Sequence, residues 1–410
     1  MRRLVLLFLG LAGGCSFYAH AGYDLAQLEV LALEKNLSLR AAGDLIDSAR
    51  FGVVSASAFP NPELEVLSGT ARSRAVGGES GNARSISVTQ PIDLPMRRAT
   101  RIAVAEAGLE VTSASVEAFK QRILADVRLR YFELLLREAE VATAKEDFKL
   151  VNAVRDRINQ RVVQGESPRF DLIRADAETK SADMRVKSAE FREQQARAQL
   201  QQSVGTALPD DFSLAGRLRD VPPLEDEALI RTQLLKGNPE LQRAKAEVAR
   251  SERSLELERM RRLPTIALRG AVDEDPDMRN SRLGLVFSIP LWDQRRGPIG
   301  EAAAQLSKAR NEMDAQTFSL SQALGAAISQ YRIASTQVNA LESGILKEAE
   351  AALKVAESAY KFGERGFLEV LDAQRVFRAA RTELIAARFQ LAAAWVEIQR
   401  LLASRESVSK

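Results

Sequence analysis

The stretch SISVTQPIDLPMRR, Ser85 to Arg98, decides the fold. It alternates small polar with apolar residues, meets a proline, and enters a long helical sequence through two arginines. Period-two alternation marks a strand whose two faces meet different surroundings. The same shape returns as LVFSIPLWDQRR, Leu285 to Arg296. Proline lacks the ladder N–H, so Pro91 and Pro290 are predicted to end the strands, with the arginines at a water-facing junction. Trp292, beside Pro290, suits an interfacial aromatic or a packed corner residue.

This pair is one rung of a ladder. NLSLRAA at Asn36 matches NPELQRAKA at Asn238, and FPNPELEVLSG at Pro60 matches LPTIALRGAV at Pro264. VVQGESPRFDLIRADAE matches YKFGERGFLEVLDAQR, with Gly165 opposite Gly363. The spacing stays near two hundred residues and drifts only where loops absorb it, so the chain reads as a tandem duplication. The expected organisation is a leader over 1–21, a first repeat over 22–216, a linker over 217–223, a second repeat over 224–404 and a tail over 405–410.

Each repeat predicts a helix, two short strands, a very long helix, a tight turn and another helix. The strands are ELEVLSGTAR and RSISVTQPI, then TIALRGAV and RLGLVFSIPL. No proline occurs from Arg97 to Val163, and a continuous helix of that length reaches about 100 Å. A second one is predicted from about Gly300 to Phe362. Its apolar and small positions step by four and three through Leu324, Ile328, Tyr331, Ser335 and Val338, then Ile345, Ala349, Ala352, Ala356 and Ala359. Such a seam lets helices approach closely in a coiled-coil wall. The fold class is therefore mainly α, built on long coiled-coil helices with four short strands per chain.

Composition excludes other classes. The 410 residues carry 58 basic against 55 acidic side chains, a balance with no nucleic-acid footprint. Arg2, Arg3, the apolar run LVLLFLGLA and Ala19-His20-Ala21 read as a secretory signal peptide cleaved before Gly22. LAGG before Cys15 offers lipoprotein processing as the alternative. The only cysteine, Cys15, and the only histidine, His20, lie in this leader, so no thiolate, Ser-His or histidine-metal chemistry is expected of the mature chain.

Four strands of membrane length raise a closure problem, because an open sheet edge cannot face lipid. Eight strands from a dimer would fill their own interior, whereas twelve from a trimer leave a lumen.

On these features the chain resembles the TolC-like outer-membrane efflux proteins over nearly its whole mature length. SVTQPIDLPMRR and FSIPLWDQRRGPIGEA are most similar to the branch serving cobalt-zinc-cadmium cation efflux. Leu94-Pro95-Met96 departs from the glycine pair which that branch usually carries. The resemblance implies a homotrimer with a 12-stranded barrel in the outer membrane and a helical tunnel in the periplasm. A periplasmic adaptor and a proton-driven inner-membrane pump of the RND type would be its partners. It implies no enzymatic activity and no cofactor, consistent with the lack of a GxxxxGK phosphate loop.

The resemblance also implies a gate at the periplasmic tip. Asp171 in the first repeat, with Tyr360, Arg365, Glu369 and Asp372 in the second, match the family's gate-forming residues. Carboxylates gathered on a threefold axis attract cations and can pair with arginine to hold a closed state. The turns Gly165-Glu166-Ser167-Pro168 and Gly363-Glu364-Arg365-Gly366 are the expected adaptor contacts. Solvated helix-face charge is the plain alternative for each residue. Drug efflux and type I protein secretion use the same architecture, and a structural or adhesive envelope protein is the remaining class. Loss of metal tolerance on gene deletion distinguishes the efflux reading from these.

Overall fold

The computed structural model describes residues 22–403 apart from 73 and 75; the predicted leader with Cys15 and His20, and the tail, lie outside the described residues. Helices α1 (Leu25–Lys35) and α2 (Leu37–Ser57) precede strands β1 (Glu63–Arg72) and β2 (Ser80–Ile92). Helix α3 (Pro95–Val163) then runs 69 residues without a break and returns as α4 (Arg169–Val204). The order repeats as α5 (Glu227–Gly237), α6 (Pro239–Met260), β3 (Thr265–Glu274), β4 (Arg279–Ser288), α7 (Arg296–Ala340), α8 (Leu346–Lys361) and α9 (Phe367–Leu402).

Each half opens with two helices where one was predicted. Asn36 and Asn238 make the break: extended backbone ends one helix there, and the side-chain oxygen caps the next. Their amides reach the far ends of the halves, Asn36 Nδ2 donating to Ser203 O at 3.2 Å and Asn238 Nδ2 to Leu401 O at 2.8 Å.

The second long helix stays helical from Arg296 to Lys361 but changes pitch along its length. A π-turn at Leu341–Ile345 separates α7 from α8. The wider turn shifts the phase of everything after it. Ile345 and Ala352, expected in the seam, are exposed, while Leu341 and Leu353 are buried beside Ala349. In α4 the seam is strict: Ala175, Ala182, Ala189 and Ala196 are buried at a spacing of seven, the period of a left-handed supercoil.

The four strands form one antiparallel sheet in the order β1-β2-β3-β4, leaving one edge of β1 and one of β4 unpaired within the chain. Register assigns the faces. Leu64 pairs with Val88 and Val88 with Gly270; Ile86 pairs with Val66 and Val272; Leu268 pairs with Leu285. That face is apolar, and its Leu64, Val66, Val88, Leu283 and Phe287 are exposed. The opposite face is polar. Arg269 reaches Glu65 at 2.8 Å, Ser87 donates to Glu65 at 3.0 Å, and Ser85 donates to Asp273, which also binds Arg282.

Pro91 does not end its strand. It pairs opposite Ala267, and β2 continues to Ile92. One missing N–H near a strand end costs a single ladder bond, and Pro95, as the first residue of α3, opens the helix instead. β4 ends at Ser288, two residues before Pro290.

The main core lies where α1, α3, α4 and α9 meet, around Leu28, Phe132, Leu134, Leu200, Phe212 and Trp395. Arg128 is buried within it and bonds Glu29 at 2.5 Å. A second cluster joins α5, α7 and α9 through Ile230, Leu324, Ile328 and Ile398. Burial pushes the Tyr131 phenol up to about 12, against a bond to the Gly216 backbone that lowers it.

Candidate functional site

The predicted site is the far end of the hairpins α3–α4 and α8–α9. Both turns have one geometry. Gly165 and Gly363 each have φ 76°, and the next residue donates back five positions, Glu166 N to Arg161 O at 2.8 Å and Glu364 N to Ala359 O at 2.9 Å. This is the Schellman closure, in which a left-handed residue satisfies the last carbonyls of a helix. Pro168 and Gly366 then stand as extended N-cap residues, so Pro168 precedes the first turn rather than occupying it.

Asp171 and Glu369 are each the sixth residue after their turn glycine. Of the expected pairings of arginine with a gate carboxylate, the one made within the chain is to Glu369 and not to Asp171. Arg365 Nη1 instead binds Glu369 Oε2 at 2.7 Å, one turn along its own helix, with both side chains largely exposed. An i,i+4 partner needs no approach of a second helix, so it wins locally. Asp372 is exposed on the same helix, and neither it nor Asp171 has an ion-pair partner within the described residues.

Tyr360 does join the two hairpins. Its ring meets Phe367 at 6.2 Å, and the Arg161 guanidinium lies 5.1 Å above it. Around them Val154, Ile158, Ala175, Phe367 and Leu371 form an apolar plug between α3–α4 and α9.

Sequence reasoning missed a charged node further along the hairpins. Arg378 of α9 lies 3.3 Å from Asp147 of α3 and 3.4 Å from Glu178 of α4, and Arg185 of α4 lies 3.3 and 3.2 Å from the same two carboxylates. Asp147 is nearly buried, so these bonds count for more than surface pairs. Arg381 adds a bond to Glu146 at 2.6 Å. The seven-residue spacing of Glu178 and Arg185 puts them on one helix face, the one signal available in sequence.

Among the described residues, no group of three or more His, Cys, Asp or Glu side chains converges to hold a metal ion, and no helix is long and apolar enough to cross a membrane.

A sheet apolar on one face and charged on the other, continued by a helix of 69 residues that reaches about 100 Å, defines the class of barrel-and-tunnel channels. The chain belongs to the outer membrane efflux protein family, whose pattern matches residues 28–206 and 230–404. It is an outer-membrane efflux channel of the TolC type, a conduit and not an enzyme.

Over 374 residues it is 27% identical to the cobalt-zinc-cadmium resistance protein CzcC of Cupriavidus metallidurans, covering 91% of this chain and 88% of that one. The nickel-cobalt-cadmium resistance protein NccC of Alcaligenes xylosoxydans is 24% identical over 328 residues, 80% of this chain and 74% of that one. The outer membrane protein TolC of Escherichia coli is 22% identical over 418 aligned positions, 95% of this chain and 84% of that one. In fold, the solved structure of CusC superposes with a TM-score of 0.81 at 17% identity, over 94% of this chain and 95% of that chain. A membrane protein from Pseudomonas aeruginosa gives 0.79 at 19%, over 92% and 90%.

Proposed function

We propose that this chain is the outer-membrane component of a tripartite, proton-driven RND-type efflux system that exports divalent heavy-metal cations. Three copies pair β1 of one with β4 of the next into a 12-stranded barrel, with the apolar face toward lipid and the Glu65–Arg269 face toward the lumen. The helical hairpins form the periplasmic tunnel, and a periplasmic adaptor docks on the turns at Gly165–Pro168 and Gly363–Gly366. Energy comes from the inner-membrane pump.

The observation that carries this reading is the sheet itself: two-faced, of membrane length, and open at both edges, it has no lipid-compatible form as one chain. Resistance proteins for cobalt, zinc, cadmium and nickel among the relatives support the cation class.

Deleting the gene should lower tolerance to cobalt, zinc, cadmium or nickel, and the purified protein should be a trimer in detergent. Unchanged metal tolerance with loss of drug tolerance, or of a secreted polypeptide, would move the assignment to drug efflux or type I secretion. A monomer that is soluble without detergent would sink the barrel.

A further inference from the structure

Where the sheet becomes helix the chain collects arginine. The four junction segments, residues 57–62, 93–101, 258–264 and 289–298, hold eight arginines against the three carboxylates Asp93, Glu258 and Asp293. Those carboxylates are already engaged. Arg101 takes Asp93 at 2.7 Å, Arg261 and Arg295 share Glu258 at 2.5 and 2.6 Å, and Asp293 accepts from the Arg295 backbone at 2.8 Å.

The other five arginines pair with no carboxylate among the described residues. Arg97 Nη2 donates to Leu263 O at 2.5 Å, which brings the start of α3 against the residue after Arg262 and merges the two halves' arginines into one collar. Arg97 Nε is buried without a partner. Arg98 donates to Ser57 O and covers the Phe59 ring at 4.6 Å. Arg259, Arg262 and Arg296 are exposed; Arg296 Nη2 donates to Gln294 Oε1 at 3.4 Å, and none of the three has an ion pair among the described residues.

The collar continues the apolar face of the sheet. Leu283, Leu285 and Phe287 lie on that face, and past the strand end at Ser288 come the exposed apolar side chains Ile289 and Leu291 and then Trp292, 93% exposed. An apolar belt that ends in an exposed indole and then in uncompensated guanidinium groups matches the depth profile of a phospholipid: acyl chain, glycerol level, phosphate. Guanidinium binds phosphate oxygens in a planar fork, and no carboxylate among the described residues is paired with these five.

We propose that this collar binds the phosphates of anionic glycerophospholipids in the leaflet facing the helical tunnel, with Arg259, Arg262 and Arg296 as principal ligands and Trp292 beside the glycerol. The proposal rests on the barrel reading and adds a lipid preference to it.

The chain has two tryptophans, and Trp395 is only 3% exposed, so quenching by brominated lipid reports from Trp292. The trimer is reconstituted in phosphatidylcholine vesicles in which either the phosphatidylcholine or an added phosphatidylglycerol carries brominated chains. Phosphatidylglycerol should be enriched around Trp292 roughly fivefold, the scale of one arginine at an anionic surface, and the preference should weaken in high salt. The triple variant Arg259→Gln, Arg262→Gln, Arg296→Gln should still form trimers, because the only bond these side chains make among the described residues is the 3.4 Å contact of Arg296 with its near neighbour Gln294, and should lose the preference.

Equal quenching by both lipids would overturn the collar while leaving the barrel intact. No quenching by either would overturn the barrel reading beneath it. Absence of a lipid preference, with retention on purified peptidoglycan that the triple variant loses, would overturn the proposal in favour of cell-wall docking.

Discussion

In the first half of the chain Asp24 caps α1, Asn36 caps α2 and holds Ser203, and Gly165 turns the hairpin at φ 76°. In the second half Asp226, Asn238 holding Leu401, and Gly363 at φ 76° do the same. Charges do not follow suit. The buried pair Glu29–Arg128 has at its matching places Arg231, exposed and paired with Glu227, and Ile328, fully buried. Tyr131 and Tyr331, three residues after Arg128 and Ile328, fix that correspondence. Backbone devices answer a steric problem that is identical in both halves. Side-chain charge answers to neighbours that differ, since the first half's core also takes in α4, Phe212 and the Trp395 ring.

The comparison breaks hardest at Arg128. Replacing it with methionine leaves Glu29 buried and uncompensated, which should cost about 3–5 kcal/mol. Pairing Arg128→Met with Glu29→Leu should recover most of the loss, because matched apolar residues then fill the second half's solution. Arg231→Ala should not measurably change stability, as exposed i,i+4 pairs contribute little. Denaturant unfolding of the reconstituted protein reads all three, and equal losses for Arg128→Met and Arg231→Ala would refute the asymmetry.

A smaller effect of opposite signs is expected where α4 and α9 end. Gly205 has φ 77°, and a Cβ there would lie 2.6 Å from Asn36 Nδ2 and 3.0 Å from its Cα. Its counterpart Ala403 already carries a Cβ at φ 53°. Gly205→Ala should therefore destabilise by about 1–3 kcal/mol, and Ala403→Gly should stabilise by up to about 1 kcal/mol. Destabilisation by both would mean that Ala403 makes packing contacts outweighing its backbone strain.

What the sequence disclosed divides along the same line. The strand pairs, the turn glycines and Asn36 with Asn238 stood out because a backbone need selects one residue type and the duplication prints it twice. The π-turn did not stand out, because LESGI carries no proline and its phase shift emerges only when Leu341 and Leu353, not Ile345 and Ala352, are seen buried. At the tip, Tyr360 was singled out only as a gate residue, and its link across the hairpins to Arg161 was not legible. Arg378 was missed for the same reason: a helix of mixed charge does not declare which arginine faces the neighbouring hairpin.

That node gives a third test. If the α8–α9 hairpin moves against α3–α4 when the tunnel opens, Arg378→Ala removes bonds to Asp147 and Glu178 that span the moving surfaces. Charge-assisted bonds of this half-buried kind contribute about 1.5 kcal/mol, roughly a tenfold shift toward the open state in planar-bilayer conductance. Arg365→Ala should change resting conductance much less, because its partner Glu369 rides on the same helix. The reverse order would restore Arg365 as the closing latch.

The smallest expected effect concerns charge at the mouth of the tunnel. By hairpin register, Glu369 corresponds to Asp171, but Asp372 corresponds to Arg174, so the second half presents two carboxylates where the first presents a carboxylate and a cation. Three residues apart on α9, Glu369 and Asp372 share a face, and threefold symmetry would bring six such groups around the opening. Removing both with alanine should lower cation-over-anion selectivity of the reconstituted channel roughly two- to threefold, the scale of an exposed charge interaction near 0.5 kcal/mol. Asp171→Ala with Arg174→Ala removes one charge of each sign and should leave selectivity where it was. Low ionic strength should enlarge the first effect and not the second. Equal responses from the two double variants would mean that α9 does not line the mouth, returning Glu369 and Asp372 to an outward, solvated helix face.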